Sequence, residues 1–514
     1  MQLDKLILTL VTFTPLLGAI ALLLFSRSNL KAVRGFALAV ALLTFVLSLH
    51  LIAHFDPAQS GFQFVVDVPW IAAAGIDYHM GIDGISVYLI LLTTALTPLA
   101  ILASWSLTDR TKEYFLFMLV LETGMIGVFA ALDLFLFYLF WEIVLIPMYF
   151  LIGVWGGERR IYAAIKFVLF TMIGGVLMLV AILALYFMHG NATGDFTFSY
   201  PAILATLSEK GFALTPQAEL LLFIAFFLAF AIKVPLFPFH TWLPDAHVEA
   251  PTAGSVLLAG VLLKMGTYGL LRFSLPLFPN MSHLLAPLIS VLAIIGIIYG
   301  ALVAMVQPDL KKLVAYSSVS HLGFIVLGIF SFTVEGIEGA VYQMLSHGVS
   351  TGALFLLVGM IYERRHTRMI SEFGGLANRM PVYAAVFLIV TLSSIGLPGL
   401  NGFVGEFLVL LGTFGVSPGH AAFAATGVIL SAVYMLWMFQ RVVWGEVTNP
   451  HNESLMDINA REKLTLLPLL ILIVWMGVYS NHFLRPMDAS VTNLLNRVEN
   501  PQGGDVRTVE KLFR

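Results

Sequence analysis

Fourteen long apolar stretches dominate this sequence and constrain its fold more than any other feature. An α-helix needs about 20 mostly apolar residues to cross about 30 Å of hydrocarbon. Stretches of this kind lie at 4–25, 33–54, 82–106, 114–131, 133–154, 164–188, 218–239, 251–272, 283–305, 312–331, 337–361, 381–414, 421–443 and 464–483. The sequence therefore predicts an all-α, polytopic membrane protein of about fourteen transmembrane helices.

The composition excludes a soluble protein. Only 11% of the 514 residues are charged, whereas 59% are hydrophobic. A soluble domain carries about 25% charged residues, so this chain lacks the polar surface that a water-soluble fold of its length needs. The formal net charge of −3 gives no indication of a polyanionic partner such as nucleic acid.

Cysteine is absent from the chain, and its absence removes several classes of function. Iron–sulfur clusters, thiolate zinc sites, disulfide frameworks and cysteine nucleophiles all require this residue. The sequence also contains no Gly-rich nucleotide fingerprint and no Walker motif. We therefore expect no cofactor and no metal in this chain.

The distribution of lysine and arginine between the connections predicts the topology. Connections on one side of the fourteen spans hold 17 of the 27 basic residues, and Lys233 and Lys264 lie inside spans. Because basic residues accumulate on the cytoplasmic side, both termini are expected on the outer side. The outer side holds the remaining basic residues: Lys5, Lys210, Arg272, Arg485, Arg497, Arg507, Lys511 and Arg514.

The connections between spans are short. The longest, at about 55–81 and 189–217, are expected to be loop-like and too short for a core of their own. The tail after about Phe483 is polar and is expected to be ordered only in part. No soluble domain is therefore expected between the spans.

Six ionisable side chains are expected near the middle of the membrane. Such groups cost several kcal/mol each and by default mark an ion or proton path. Glu142, for example, lies nine residues after Asp133, which places it roughly 14 Å into its helix. The six candidates are Glu142, Lys233, Lys264, His321, His347 and Glu406.

Each candidate also has a structural explanation when it is taken alone. Glu142 and Lys233 could form an inert ion pair, a lone buried histidine is usually hydrogen-bonded in the core, and Lys264 could extend towards the interface. Six such groups on six spans are too costly to be accidental, and the sequence therefore favours a proton path. Glu122, in the fourth span, has no partner that the sequence identifies.

The polar stretch from Phe239 to Glu249 has two interpretations. Its histidines and carboxylates, in the sequence FHTWLPDAHVE, could supply metal ligands. Its position at a cytoplasmic turn before Pro251 favours a loop and helix cap, because proline is typical of a first helical residue.

Two spans contain proline-rich interruptions at matching places. The seventh holds Lys233–Pro238 (KVPLFP), and the twelfth holds Ile395–Phe403 (IGLPGLNGF). Proline removes a backbone donor, so both helices should break there. Paired interruptions predict inverted repeats with an ion site at the breaks. We divide the chain into an N-terminal segment (1–112), a first five-helix repeat (113–275), a second (276–445), and a last helix with a polar tail (446–514).

These motifs resemble a known family, the antiporter-like membrane subunits of respiratory complex I, NADH:quinone oxidoreductase. The resemblance covers nearly the whole chain. It is carried by WEIVLIPMYF (141–150), KVPLFPFHTWLPDAHVEAPTAGSVLLAGVLLKMGTYG (233–269), YSSVSHLGF (316–324) and PGLNGFVGEF (398–407). Other branches of the family carry lysine where this chain has Glu406, and glutamate at this position is the mark of the M type.

The resemblance implies a role for each candidate residue. Glu142 would be the acid paired with Lys233, and Lys264 would be the central relay. His321 and His347 would lead from Lys264 towards Glu406 at the exit.

The resemblance also implies the surroundings of the chain. Its neighbours would be L-type and N-type antiporter-like subunits in a bacterial plasma membrane. FMN, iron–sulfur clusters, NADH and quinone would be bound by partner subunits, whose redox chemistry would drive the protons.

Two alternatives remain open at this point. One is an Mrp-type cation/proton antiporter subunit that uses the same ion pair, against which Glu406 counts. The other is a haem-binding electron carrier built on intramembrane histidines. In such a carrier Lys264 and Glu406 would have no role.

Overall fold

The computed structural model describes residues 2–208 and 214–499, and most of them are helical. The sequence-based assignments of Lys210, Arg507, Lys511 and Arg514, and of the tail beyond residue 499, lie outside the described residues, as does the side chain of Lys5.

Twenty-one α-helices and one hairpin follow each other along the described part of the chain. The helices are α1 (Gln2–Leu22), α2 (Leu30–Ala53), α3 (Val87–Ala103), α4 (Thr111–Ala130), α5 (Leu134–Ile143), α6 (Leu145–Trp155), α7 (Arg160–Thr193), α8 (Tyr200–Ser208), α9 (Pro216–Lys233), α10 (Trp242–Glu249), α11 (Thr252–Leu257), α12 (Leu263–Gly269), α13 (Leu275–Leu277), α14 (Pro279–Met305), α15 (Leu310–Ile329), α16 (Val334–Arg365), α17 (Pro381–Ser394), α18 (Asn401–Val416), α19 (Pro418–Val443), α20 (Ala460–Val478) and α21 (Asn481–Glu499). The strands are β1 (Gln63–Ile71) and β2 (Ile76–Ile82).

The prediction of an all-α membrane fold is confirmed in outline. In the described residues ten helical segments are long and apolar enough to cross a membrane, and α20 with α21 forms a bent pair that would be an eleventh. The other predicted spans coincide with shorter apolar helices at Leu6–Leu22, Val87–Ala103, Pro381–Ser394 and Asn401–Val416. The count of fourteen spans and the inverted repeats stay predictions.

One long connection is not the loop that the sequence suggested. Within 55–81, β1 and β2 pair as an antiparallel hairpin, with Val66 opposite Met80 and Val68 opposite Tyr78. The hairpin is fixed to the helices because the Asp133 carboxylate accepts the backbone N–H of Asp77 and also caps α5 through Leu136. The sequence analysis did not predict these two short strands, because their alternating polar and apolar residues lie between much longer apolar stretches.

The described part of the tail is helical. Residues Asn481–Glu499 form α21, which is bent by 69° from α20. The sequence analysis did not predict this helix, which is amphipathic. One face is buried through Phe483, Met487, Val491, Leu494, Leu495 and Val498. Ser490 on this helix accepts the backbone N–H of Gly84, just before α3.

The candidate residues lie on the innermost helices or next to them. The most apolar stretches of α16 and of Thr252–Leu277 are completely buried, whereas only about a third of the corresponding stretches of α2, α7 and α19 is buried. Two basic residues assigned to the membrane faces are in fact buried. Arg272 pairs with Asp83 at 2.6 Å, and the Lys311 amine donates to the Ala250 carbonyl at 2.5 Å.

Candidate functional site

Proline chemistry ends α9 at Lys233, as the sequence predicted. Pro235 has no N–H to donate to the Ala231 carbonyl, and Leu236 donates to it instead at 2.8 Å. The Ile232 carbonyl is then free, and the Trp242 indole N–H donates to it at 2.8 Å. We call residues 234–241, between α9 and α10, the first break. Its exposed backbone is tolerable because protein groups satisfy it.

The Lys233 ammonium lies in the core without a hydrogen-bonding partner. The side chain is 1% exposed, and among the described residues its Nζ has no hydrogen-bonding or ion-pair partner. Two ring faces lie near it, with the centroids of Trp141 and Phe167 at 5.1 and 5.7 Å. The expected direct pair with Glu142 is therefore absent in this structure, although the charges are close enough to interact.

Glu142 lies where its helix is interrupted. Helix α5 ends at Ile143 and α6 begins at Leu145, because Pro147 cannot donate to the Ile143 carbonyl. The Glu142 carboxylate packs against α7 at Gly175, where a Cβ atom would lie 2.0 Å from Oε1. That oxygen is buried without a hydrogen-bonding partner. Glu142 is thus held by packing and not by a cation.

Lys264 lies in a short α-helix between two wider helical turns. Segments Leu258–Leu262 and Leu270–Ser274 are π-helical, and α12 lies between them. The Lys264 amine is fully buried, donates to the Ala259 carbonyl of the first π segment, and lies 2.7 Å from His347 Nδ1. Such π turns are frequent at functional sites.

His347, His321 and Glu406 follow Lys264 in a series of neighbouring side chains. The rings of His347 and His321 lie with their centroids 5.7 Å apart, and His321 Nδ1 lies 2.7 Å from Glu406 Oε1. Gln343 also donates to Glu406 Oε1, at 3.1 Å. We call Lys264, His347, His321 and Glu406 the polar line. It runs across α12, α16, α15 and α18, with every member at most 4% exposed.

A second break, at residues 395–400, sets the position of Glu406. Gly396 and Gly399 adopt positive φ angles of +76° and +90° between α17 and α18. Asn401 closes the break, since its side chain accepts from Ser393 at 2.5 Å and its amide donates to the Ser346 carbonyl at 3.3 Å. Glu406 follows on the first turns of α18, with Gly396 against its carboxylate.

The structure therefore gathers the six predicted residues in two groups. Four form the polar line, whereas Glu142 and Lys233 lie together without a direct contact. The groups are joined by packing, because Gly266 on α12 lies against Phe230 and Val234 of α9. A Cβ atom at Gly266 would lie 2.8 Å from the Phe230 carbonyl oxygen, so glycine is needed for this close approach.

Sequence analysis missed His247. The favoured role of its stretch was a loop and cap, but Trp242–Glu249 is helical and His247 is fully buried. Both of its ring nitrogens lack a hydrogen-bonding partner, and the ring stacks on Phe355 at 4.6 Å. Lys264, His347 and Lys311 are close enough to act on it electrostatically. A histidine in a polar stretch between spans gives no signal of burial.

Glu122 is also fully buried, and neither carboxylate oxygen has a hydrogen-bonding partner. Thr97 on α3 is its polar neighbour. The structure does not connect it to the polar line, and its role stays open.

The histidine geometry counts against an electron carrier. One nitrogen of His347 contacts Lys264 and one nitrogen of His321 contacts Glu406, an arrangement that favours a hydrogen-bonded relay over axial ligation of haem. Within the described residues, no three His, Asp or Glu side chains are grouped as metal ligands would be.

Comparison with known proteins identifies two family matches. Residues 131–432 match the family described as NADH:quinone oxidoreductase/Mrp antiporter, and residues 8–126 match the amino terminus of NADH-ubiquinone oxidoreductase chain 4. The NADH-quinone oxidoreductase subunit M of Rhodobacter capsulatus is 50% identical over 494 residues, which is 95% of this chain and 96% of the relative.

Solved structures agree with these matches. A chain of respiratory complex I from Thermus thermophilus, solved with bound NADH, superposes with a TM-score of 0.86 at 35% identity and covers 96% of this chain and 99% of that one. The Mrp complex from Dietzia sp. DQ12-45-1b gives a TM-score of 0.83 at 19% identity, over 97% of this chain and all of the other, and shares the fold. The chain belongs to the subunit M family of antiporter-like membrane subunits of NADH:quinone oxidoreductase.

Proposed function

We propose that this chain moves protons across the membrane as a subunit of NADH:quinone oxidoreductase, through Glu142, Lys233, Lys264, His347, His321 and Glu406. The observation that carries the proposal is the polar line. Four titratable side chains on four buried helices follow each other with contacts of 2.7 Å at both ends. Buried groups of this kind are too costly to keep without a function.

The first half of the path starts at Lys233. A carboxylate beside the ammonium stabilises the protonated lysine, and separation of the two removes that stabilisation. When Glu142 lies against α7, as it does here, Lys233 can pass its proton on to Lys264 through water. His247, buried between Lys311 and the polar line, offers a second route by which a proton can reach Lys264.

The second half uses the two ring nitrogens of each histidine. Charged Lys264 donates to His347 Nδ1, and transfer of that proton allows His347 to release one from Nε2 towards His321. His321 in turn donates from Nδ1 to Glu406 Oε1. Glu406 then releases the proton outside, against about 2.3 kcal/mol per 100 mV of membrane potential.

The energy comes from elsewhere in this proposal. FMN, the iron–sulfur clusters, NADH and quinone are assigned to partner subunits, and L-type and N-type subunits to the two sides of this chain. The chain would have fourteen spans, two inverted repeats at 113–275 and 276–445, and both termini on the outer side of a bacterial plasma membrane. The matching breaks beside Lys233 and Glu406 support the repeats.

Proton pumping by the whole complex tests the proposal. Complex carrying Lys233→Ala or Glu142→Ala is purified and reconstituted in liposomes, and NADH oxidation is measured together with acidification by a pH-sensitive dye. We expect assembled complex that pumps less than a tenth as many protons as the wild type. Lys463→Ala, at an exposed lysine, is the control and should pump normally.

Two outcomes separate the alternatives. Normal pumping in both path variants contradicts the proposal. Co-purification of this chain without flavin and iron–sulfur subunits, with sodium-dependent transport, would instead identify an Mrp-type antiporter subunit.

A further inference from the structure

The environment of Lys233 contains a feature that the proposed path does not use. We propose that Trp141 and Phe167 form an aromatic cage that holds the Lys233 ammonium when Glu142 does not, and that both act as positioning residues for its proton transfer. The inference rests on the proposed function and adds to it a second resting place for the cation.

The geometry is that of a cation on two ring faces. Both centroids lie within about 6 Å of Nζ, the range in which a ring quadrupole attracts an ammonium ion. No hydrogen-bond acceptor reaches Nζ among the described residues. Since the side chain is 1% exposed, water gives it little stabilisation. The rings are therefore the main stabilising contact of the charge in this state.

The cage is rigid. Trp141 packs against Phe137 and Phe230, with centroids 5.7 and 5.5 Å away. Phe167 packs against Trp242 at 5.3 Å, and Trp242 is fixed by its bond to the Ile232 carbonyl, next to Lys233. The rings thus belong to α5 and α7, and they are held by the helices on either side of the first break, α9 through Phe230 and α10 through Trp242.

Other charges do not explain the position of the ammonium. Glu142 is the one described charge whose field acts on Lys233. The cations on the helices around α9 are engaged elsewhere: Lys166 with Asp245 at 2.7 Å, Lys264 with His347 and Ala259, and Arg272 with Asp83. The choice for Lys233 is therefore between the carboxylate and the rings.

Trp141 and Glu142 are adjacent on α5, and their side chains point about 100° apart around the helix. In this structure the ring faces Lys233 and the carboxylate faces Gly175. Because the helix is interrupted after Ile143, the end of α5 can rotate with little cost to α6. Such a rotation exchanges the contact of Lys233 with Trp141 for a contact with Glu142. The cage stabilises the cation when Lys233 and Glu142 are apart.

A matched pair of substitutions tests the cage. Phe167→Leu removes a ring that faces the ammonium, whereas Phe137→Leu removes an equally buried ring that contacts Trp141 but not Lys233. Because rings attract the ammonium and not the neutral amine, the alkaline limb of the pumping profile should shift by about one pH unit to lower pH in Phe167→Leu. Phe137→Leu should keep the wild-type profile.

Three further variants address folding. Trp141→Phe, which keeps a ring face, should shift the profile less than Trp141→Leu. If Phe167→Leu does not assemble, trifluorophenylalanine at position 167 keeps the size of the ring and weakens its negative face, and should shift the profile in the same direction.

The outcomes distinguish the cage from the path. Equal profiles for Phe167→Leu and Phe137→Leu, or no shift with the fluorinated ring, contradict the cage while Lys233→Ala remains inactive. Normal pumping by Lys233→Ala contradicts the proposed function.

Discussion

The two breaks place their charged residues in opposite states. At the first break Lys233 is buried and Glu142 is half-buried near it without a direct contact, and within the described residues neither Lys233 Nζ nor Glu142 Oε1 has a hydrogen-bonding partner. Beyond the second break Glu406 is bonded to His321 at 2.7 Å and to Gln343 at 3.1 Å. The same arrangement, a helix interrupted by proline with a polar side chain bonded at the break, therefore supports two different sites. We call the first, where the charged groups are not bonded, the loose site, and the second, where Glu406 is bonded, the closed site.

The difference follows from the acceptors that each break provides. At the first break the Trp242 indole occupies the Ile232 carbonyl, and Lys233 Nζ has no hydrogen-bonding partner among the described residues. At the second break Asn401 bonds to the Ser393 hydroxyl and to the Ser346 carbonyl of α16, and Glu406 has donors on two neighbouring helices. An unpaired buried charge costs free energy, whereas a bonded one is held in place. The first site is suited to release the proton of Lys233, and the second holds Glu406 in a fixed position as an acceptor for His321 and Gln343.

The largest effect on stability is expected when the two acids, Glu406 and Glu142, are each replaced by alanine in separate variants. Glu406→Ala leaves His321 and Gln343 buried without their acceptor, which should cost about 3 kcal/mol of stability. Glu142→Ala leaves no donor unpaired and should cost less than about 1 kcal/mol. Thermal inactivation midpoints of the purified complex measure both.

Gln343→Ala serves as the control. It removes one hydrogen bond to Glu406, so its loss of stability should lie between those of the two acid variants. Equal destabilisation by both acid variants would contradict the distinction between a loose and a closed site.

The groups that close the breaks should have a smaller effect. Asn401→Ala removes bonds to Ser393 and the Ser346 carbonyl and should cost about 2 kcal/mol. Trp242→Phe removes one bond, to the Ile232 carbonyl, and should cost about 1 kcal/mol. The same inactivation assay compares them. A larger loss in Trp242→Phe would show that the first break is the more tightly closed one.

The smallest effect should come from the glycine beside Glu142. Gly175→Ala places a methyl group against the carboxylate and should push it off α7, lowering the pumping rate about threefold at unchanged NADH oxidation. Gly153→Ala is the control, because its nearest neighbour, the Ala164 Cβ, lies at an ordinary 3.6 Å. Equal pumping by both variants would mean that the position of Glu142 against α7 is not used.

Sequence alone identified the residues but not their contacts. Ionisable groups inside apolar stretches stand out, and prolines 235 and 398 mark the breaks, because each effect is local. Whether Lys233 meets Glu142 depends on how α5 and α9 are rotated about their axes, and packing decides that. His247 and α21 were missed for a related reason: their polar neighbours hide a buried ring in one case and an apolar face in the other.

The two π segments around Lys264 have a mechanical consequence. Each π turn holds about one residue more than an α turn. If the extra residue moves from one π segment to the other, only the helix between the two segments rotates. The part that turns is the seven residues of Leu263–Gly269, by roughly 100°. The ends of the span do not move. Lys264 alone among the residues of the polar line therefore lies on a helical segment that can rotate while the helix on both sides of it stays fixed.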